Sequence, residues 1–403
     1  MSNTDALLLS VSAFSAAVYL LLMGSFVVGL VRGRLRVAAR ARALSSAQRA
    51  LPRVSILKPL AGREDELAEN LRSFAKLDWP DVELLLGVSS LSDPAVPVVR
   101  AFLAINKQLD ARLVVTDPNA ALNPKVAQLL RLAEEATGGV LIVSDANVRV
   151  RPSYVRDLVA ALDEPGVGLV TSVIVGAGER TVGAALENLQ LLAYVAPAVV
   201  TSATLVGRPV SIGKSMAMRA CDLEAVGGFR AVADVLAEDH VLAQIFTRHG
   251  VAVRVCMAPV ENRNVDCTVQ RTLERHTRWG KLRRTIAPHG FPFEPLMSPI
   301  VVATVALLVS QSRLAALSLL ASIALQVAGA ALAVLLLRGR VPLWLPPLEV
   351  VRSYLQAYAW IRASLSRRVA WRGHEFSLRS GSRLVPTVPS VRGRLRRGAR
   401  ASG

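Results

Sequence analysis

The 403-residue sequence is poor in several things that would point to a function. It holds three cysteines, Cys221, Cys256 and Cys267, with no CxxC spacing and no histidines at zinc-finger distance. That pattern offers no structural zinc site, and the three are read as buried free thiols in a reducing compartment. Aromatic residues are only 5% of the chain, so its high apolar content, 52%, falls on Ala, Val and Leu. Acids are outnumbered, 30 Asp and Glu against 48 Lys and Arg, for a formal net charge of +18. The basic residues gather beside apolar segments and in the tail, not in a nucleic-acid motif. Nucleic acid is therefore excluded as a partner, and an anionic membrane surface is expected. No GxGxxG or P-loop follows any strand-like run, which argues against a dinucleotide oxidoreductase or a P-loop ATPase.

Charge is missing altogether from residues 6–31. This run is long enough to cross a bilayer core of roughly 30 Å as a helix. The flank before it has no Lys or Arg, whereas Arg32, Arg34, Arg36, Arg40 and Arg42 follow it. The segment reads as an anchor rather than a cleaved signal, with the N-terminus outside and the next domain in the cytosol. A second apolar region is broken by Gln311, Ser312 and Arg313, and two helices over 297–311 and 314–337 form a hairpin there, since one long helix leaves Arg313 in hydrocarbon. Residues 341–365 are apolar and aromatic but carry Glu349, Arg352 and Arg362, which fits an interfacial or re-entrant helix better than a span. The expected organisation is an anchor and basic linker (1–50), a cytosolic α/β domain (51–295), a membrane hairpin with an interfacial helix (296–366), and a solvated basic tail (367–403). A multi-pass protein of a bacterial inner membrane matches this pattern.

In the middle, runs rich in Val, Ile and Leu at 54–57, 82–89, 112–115, 140–144 and 168–175 suit buried parallel strands. Helical spacing separates them at 64–77, 94–106, 124–137 and 152–162, three of these with Pro near the first turn. Alternation of this kind indicates a doubly wound sheet, whose ligands lie beyond the carboxyl ends of the strands. Polar residues just after strands are therefore the candidates. Asp145 follows such a strand and could hold a divalent cation and, through it, a diphosphate; a turn or cap role is the other reading. Asp93 precedes Pro94, and on physical grounds capping is its better explanation. Glu238 and Asp239 enter a helix, where they complement the dipole or act as a general base. Arg275, Arg278 and Trp279, at i, i+3 and i+4, share a helical face that suits a diphosphate or a sugar. A basic amphipathic helix on the membrane surface explains them equally.

Taken in order, these features resemble the ceramide glucosyltransferase family, inverting enzymes of GT-A fold. The resemblance is carried by Val54-Ser-Ile-Leu-Lys-Pro-Leu-Ala-Gly62, Glu69-Asn70-Leu71, Ser92-Asp93-Pro94-Ala95, Asn123-Pro124-Lys125, Gly213-Lys-Ser-Met-Ala-Met-Arg219 and Gly227-Gly228-Phe229. Arg275-His-Thr-Arg278-Trp279 matches the family's (Q/R)xxRW signature, and Trp371-Arg372-Gly373 its ending. The resemblance implies a GT-A domain flanked by transmembrane helices, a UDP-sugar donor, a divalent metal (Mg or Mn), and a membrane lipid acceptor, ceramide or a hopanoid-like alcohol. It implies Asp93 and Asp145 in the donor site, Asp145 on the metal, Asp239 as the base, and Arg275, Arg278 and Trp279 on the diphosphate and acceptor. Lys58, Pro59 and Lys125 would line the nucleotide pocket. Two departures stand out. Asp145-Ala146-Asn147 lacks the second acid of a DxD, and Ala196 lies where animal members have a histidine. Bacterial enzymes that glycosylate hopanoids share the same motifs.

Overall fold

The computed structural model describes residues 3–46, 50–207, 210–371 and 374–386. Eight strands make the main sheet: β1 (Val54–Pro59), β2 (Val82–Val88), β3 (Asp110–Val115), β4 (Val140–Ser144), β5 (Val148–Arg149), β6 (Val167–Ala177), β7 (Ser215–Arg219) and β8 (Ala252–Arg263). Their order is β3-β2-β1-β4-β7-β6-β8-β5. All five strands expected from sequence are present and run the same way, with β1 parallel to β2 and β4, and β2 parallel to β3. Strand β7 is antiparallel to both its neighbours, β4 and β6, so the sheet is mixed.

Side chains alternate across this sheet as the two-residue period requires. Ile56, Leu84, Leu86 and Ile142 face one core, with Leu71, Phe102 and Leu158 from the helices Leu67–Phe74, Ala95–Ile105 and Tyr154–Leu162. Leu57, Leu85, Leu141 and Val143 face the other, against Leu129 and Phe246 of Pro124–Glu135 and Glu238–Arg248. Each such side chain contributes about 1.5–3 kcal/mol on burial. From β1 the chain builds outward to β2 and β3, then returns to place β4 on the other side of β1. The crevice at that switch point is where an open α/β sheet takes its ligand. It lies between the loops after Pro59 and Ser144.

The first helix, Asn3–Ser46, runs past the expected apolar stretch and through its basic flank; 44 residues make it roughly 66 Å long. It crosses the helix Arg313–Arg338 closely, Tyr19 lying against Gly329, where an added Cβ would come within 2.2 Å of the tyrosine oxygen. Among the described residues three helices are long and apolar enough to cross a membrane: Asn3–Ser46, Val182–Val206 and Arg313–Arg338. The second was not expected. The predicted hairpin is there in outline, with Gln311 in the left-handed region and Ser312 accepting from the Ala315 N–H. Its first arm, Pro299–Ser310, is only about 18 Å long, too short to span. It is bent by 85° against Phe291–Met297. Helix Glu349–Leu365 is not among the three and buries Glu349 and Arg352.

The tail departs from expectation. A second sheet is formed by β9 (Arg368–Trp371), β10 (His374–Leu378) and β11 (Leu384–Pro386). Phe376, Leu378 and Leu384 bury Leu236, and the Leu236 N–H donates to the Ser382 carbonyl at 3.0 Å. These apolar residues lie between the arginines and outvote the local charge. The remainder of the expected tail, 387–403, lies outside the described residues, as do Arg372 and Gly373 of the expected ending. Cys221 is a further correction: it is exposed, and only Cys256 and Cys267 are buried. Removing 367–403 strips the cover from Leu236, worth about 2 kcal/mol, so the melting temperature should fall by roughly 4–8 °C. A thermal scan of the detergent-solubilised protein checks this.

Candidate functional site

The site is assembled at the carboxyl end of β4. Asp145 is the first residue beyond that strand, and its backbone carbonyl accepts from Lys58 Nζ at 2.7 Å. Lys58 is wholly buried in β1, its ammonium 4.1 Å from the centre of the Phe74 ring. Burial, only partly offset by Asp145, brings its pKa down to about 7.

The Asp145 carboxylate is held from two sides. Lys125 Nζ lies 2.8 Å from Oδ1 and Lys214 Nζ 3.0 Å from Oδ2. Lys125 is placed by the start of its helix, where Asn123 accepts from the Lys125 and Val126 N–H groups and Pro124 supplies the preset first turn. Its ammonium also reaches Glu238 Oε1 at 2.9 Å and the Gly213 carbonyl at 2.8 Å. Burial alone would favour its neutral amine, but Asp145 and Glu238 outweigh that and hold Lys125 above the usual lysine range. Burial likewise works against the Asp145 anion, and the two lysines reverse it, holding Asp145 well below the usual carboxylate range.

Asp239 closes the other side. Gly213 N–H donates to its Oδ2 at 2.5 Å and the His240 N–H to its Oδ1 at 2.7 Å. A Cβ on Gly213 would stand 2.9 Å from Lys125 Nζ and 3.1 Å from Asp239 Oδ2, so a side chain here would push on the tips of both. Burial and then the adjacent Glu238 raise the Asp239 carboxyl to about 6, Lys125 opposing them. It is a carboxylate poised near neutrality, the condition for a general base.

Thus Lys58, Lys125, Asp145 and Asp239 converge on one network, with Pro59 buried beside Lys58. Asp93 stands in the neighbouring loop. It accepts from the Gly62 N–H at 2.9 Å and the Ala95 N–H at 2.8 Å, fastening the loops after β1 and β2 together. This is the capping geometry that physical reasoning favoured. Arg275 is turned elsewhere. It meets Glu187 Oε1 at 2.9 Å and Asn264 Oδ1 at 3.2 Å, because the buried Glu187 carboxylate needs a cation. His276 Nε2 lies 3.0 Å from the other Glu187 oxygen and its ring packs edge-on against Trp279. Arg278 and Trp279 are half-buried on that helix, Val269–Ile286.

Two participants, Glu187 and Lys214, were not anticipated from the sequence. The signal for Glu187 was its being the one acid in residues 181–221. Lys214 lies inside the Gly213–Arg219 motif, but nothing in the sequence aims it at Asp145; its ammonium also donates to Asn147 Oδ1 at 2.9 Å. Among the described residues no three His, Cys, Asp or Glu converge as a metal cage. Both Asp145 oxygens are engaged by ammoniums, so a divalent cation that takes its other ligands from a bound diphosphate and water, as Mg²⁺ does with substrate phosphates, would have to displace Lys125 or Lys214 from one of them.

Comparison with known proteins bears on this arrangement. The family described as Glycosyl transferase family 21 matches residues 20–384. The chain is similar to ceramide glucosyltransferase 1 of Caenorhabditis elegans, 25% identical over 83% of this chain and 73% of that one. It is equally similar to ceramide glucosyltransferase 3 of the same organism, 25% identical over 83% of this chain and 75% of the other. Among solved structures it is similar to a mannosyltransferase from Pyrobaculum calidifontis in complex with GDP-Man and Mn²⁺, with 21% identity, a TM-score of 0.47, and coverage of 88% of this chain and 98% of that one.

Proposed function

This chain belongs to glycosyl transferase family 21, and on that premise we propose that it moves a single hexose, glucose, from a UDP-sugar to the hydroxyl of a membrane lipid, ceramide first among the candidates. The arrangement that carries the reading is that of Asp239: a half-buried carboxylate, raised to about 6 by burial and Glu238, accepting from the Gly213 N–H and tied through Gly213 and Lys125 to Asp145. Asp239 takes the proton from the lipid hydroxyl as its oxygen attacks the anomeric carbon. The bond from that carbon to the diphosphate breaks on the opposite face, inverting the centre, and UDP leaves with the electron pair. Charge builds on the departing diphosphate, and fixed positive groups facing it lower the barrier. Lys125 and Lys214 are the ammoniums in this network that can serve so. Asp145 is the residue that would hold a divalent cation, which when bound adds positive charge at the same place.

Asp93, Arg278 and Trp279 are assigned to the donor and acceptor walls, and Arg275 to holding their helix through Glu187. The arginine-rich flank of the first helix supports a cytosolic site with the N-terminus outside. The alternative acceptor is a hopanoid alcohol receiving N-acetylglucosamine, since bacterial enzymes of that kind share the motifs and Ala196 departs from the animal histidine near the acceptor. Among the described residues the candidate spans outside the sheet domain are Asn3–Ser46, Arg313–Arg338 and the bent pair Phe291–Met297 with Pro299–Ser310, few enough to favour single transfer over a polymer-extruding synthase.

The rate of glycolipid formation is expected to rise with pH through about 6 with the slope of one proton, because only ionised Asp239 accepts the hydroxyl proton. Membranes assayed with labelled UDP-glucose between pH 5 and 8 give the profile. A flat profile removes Asp239 from the role.

A further inference from the structure

The helix Glu238–Arg248 presents Asp239 from its first turn, yet its own sequence does little to fix that end. Ala237, at the N-cap, has no side chain that can accept a hydrogen bond. A capping box would place Glu or Gln at the third helical position to reach back to the Ala237 N–H; His240 stands there. The Ala237 N–H is met instead from 145 residues along the chain, by Ser382 Oγ at 3.2 Å. The Ser382 carbonyl accepts from the Leu236 N–H beside it.

Ser382 is held in an unusual conformation to make these contacts. It is wholly buried, and its backbone lies in the left-handed region at φ 59°, directly after Gly381 at φ 69°. A residue with a Cβ avoids that region unless its surroundings impose it. Here they do. Arg383 pairs with Val235, the Leu384 N–H donates to the Asp234 carbonyl at 2.8 Å, and Leu236 is buried among Phe376, Leu378 and Leu384.

We propose that Ser382 is a positioning residue for the base: its hydroxyl caps the helix that carries Asp239 and so holds the carboxylate at its place in the site. The proposal rests on Asp239 as the base and deepens that reading.

Contacts on either side give the cap its reference points. Across the same loop, Asn123 Nδ2 donates to the Val235 carbonyl at 2.9 Å, and the Asn123 N–H to the Ala233 carbonyl at 3.0 Å. Asn123 also begins the helix that carries Lys125, so residues 233–237 are strung between that helix and Ser382. On the tail side, Lys281 Nζ of Val269–Ile286 donates to the Arg368 carbonyl of β9 at 2.7 Å, and Leu282 packs on the Phe376 cluster. The tail sheet therefore ties the first turn under Asp239 to the helix with Arg278 and Trp279. A loosened cap lets Asp239 drift from the reacting hydroxyl, while Lys125, Lys214 and Asp145 keep their places on other elements.

Ser382→Gly and Ser382→Thr separate this role from plain stability. Glycine removes the hydroxyl and adopts φ 59° without steric cost, whereas threonine keeps the hydroxyl and, being β-branched, is strained there. In the full-length, detergent-solubilised protein, Ser382→Gly is expected to lower kcat about tenfold, since a small misplacement of a catalytic group costs up to about 10²-fold. The KM for UDP-glucose and the Kd for UDP should hold. Ser382→Thr should melt at the lower temperature of the two and still keep kcat within about twofold of wild type. Hydrogen exchange at the Leu236 and Ala237 amides, measured without substrates, should quicken in the glycine variant and not in the threonine variant. A kcat within twofold of wild type in Ser382→Gly overturns the proposal, as does a kcat that follows melting temperature across the two variants, or a donor KM that rises as kcat falls. Wild type that transfers no sugar to lipid contradicts the transferase reading instead. Exchange at Ala237 then decides the cap alone, and equal protection in the glycine variant overturns it.

Discussion

Replacing Asp239 by Asn is expected to lower kcat by about 10³-fold, within the 10²–10⁴ that a positioned general base contributes. The amide keeps the size of the side chain and one oxygen to accept from the Gly213 N–H, so the loop at Gly213 stays in place. It cannot take a proton from a hydroxyl. Donor affinity, read as the Kd for UDP, should change little, because the diphosphate is assigned to Lys125, Lys214 and Asp145. Loss of activity together with loss of UDP binding would place Asp239 in the donor site, contrary to its assignment here. Full activity in this variant would remove it from catalysis. The neighbouring Glu238 cannot substitute, since its two oxygens meet Lys125 and Asn123.

Lys125→Met should be the most destabilising single change in the site. It leaves Asp145, Glu238 and Asp239 without their shared cation, and breaking a buried ion pair from one side costs about 3–5 kcal/mol. The uncompensated carboxylates then bind protons, so the variant should recover part of its stability at low pH. The double change Lys125→Met with Asp145→Asn is expected to be less damaging than the sum of the two, since it removes one stranded charge along with its partner. Chemical denaturation of the four members of this cycle measures the coupling. Strict additivity would mean that Lys125 and Asp145 do not depend on each other. Transfer should be lost in every variant lacking Lys125, whatever its stability.

What the sequence made legible follows physical lines. Strands β1 to β4 and β6 declared themselves because buried strands of Val, Ile and Leu repeat between helices with clear starts. The Gln311-Ser312 turn showed because polar residues interrupt an apolar run. Strand β7 hid because Ser-Met-Ala-Met-Arg has no β-branched residue and gains its place only by pairing with β4 and β6. Helix Val182–Val206 hid inside the soluble domain, and its lone Glu187 fixes the signature arginine far along the chain. The strap formed by β9, β10 and β11 was obscured by the arginines around it, although Phe376, Leu378 and Leu384 were present to be counted.

At the site, the separate candidates Lys58, Lys125, Asp145 and Asp239 were all named from sequence, but the ties among them were not. Distances between residues 58, 125, 145, 213 and 239 arise only when β1, β4 and β7 lie side by side. Gly213 illustrates this. Its closeness to Lys125 and Asp239 arises only in space, and no local turn signal announces it.

The central claim is that one sugar passes from a nucleotide to a lipid alcohol. Membranes containing the protein, given radiolabelled UDP-glucose and ceramide, test it most directly when the lipid extract is resolved by chromatography and mass. A labelled lipid heavier by a single hexose, absent with Asp239→Asn, is the expected result. Label in a polymer, or label that never enters the lipid fraction with UDP-glucose or UDP-N-acetylglucosamine and either class of alcohol, would contradict the account.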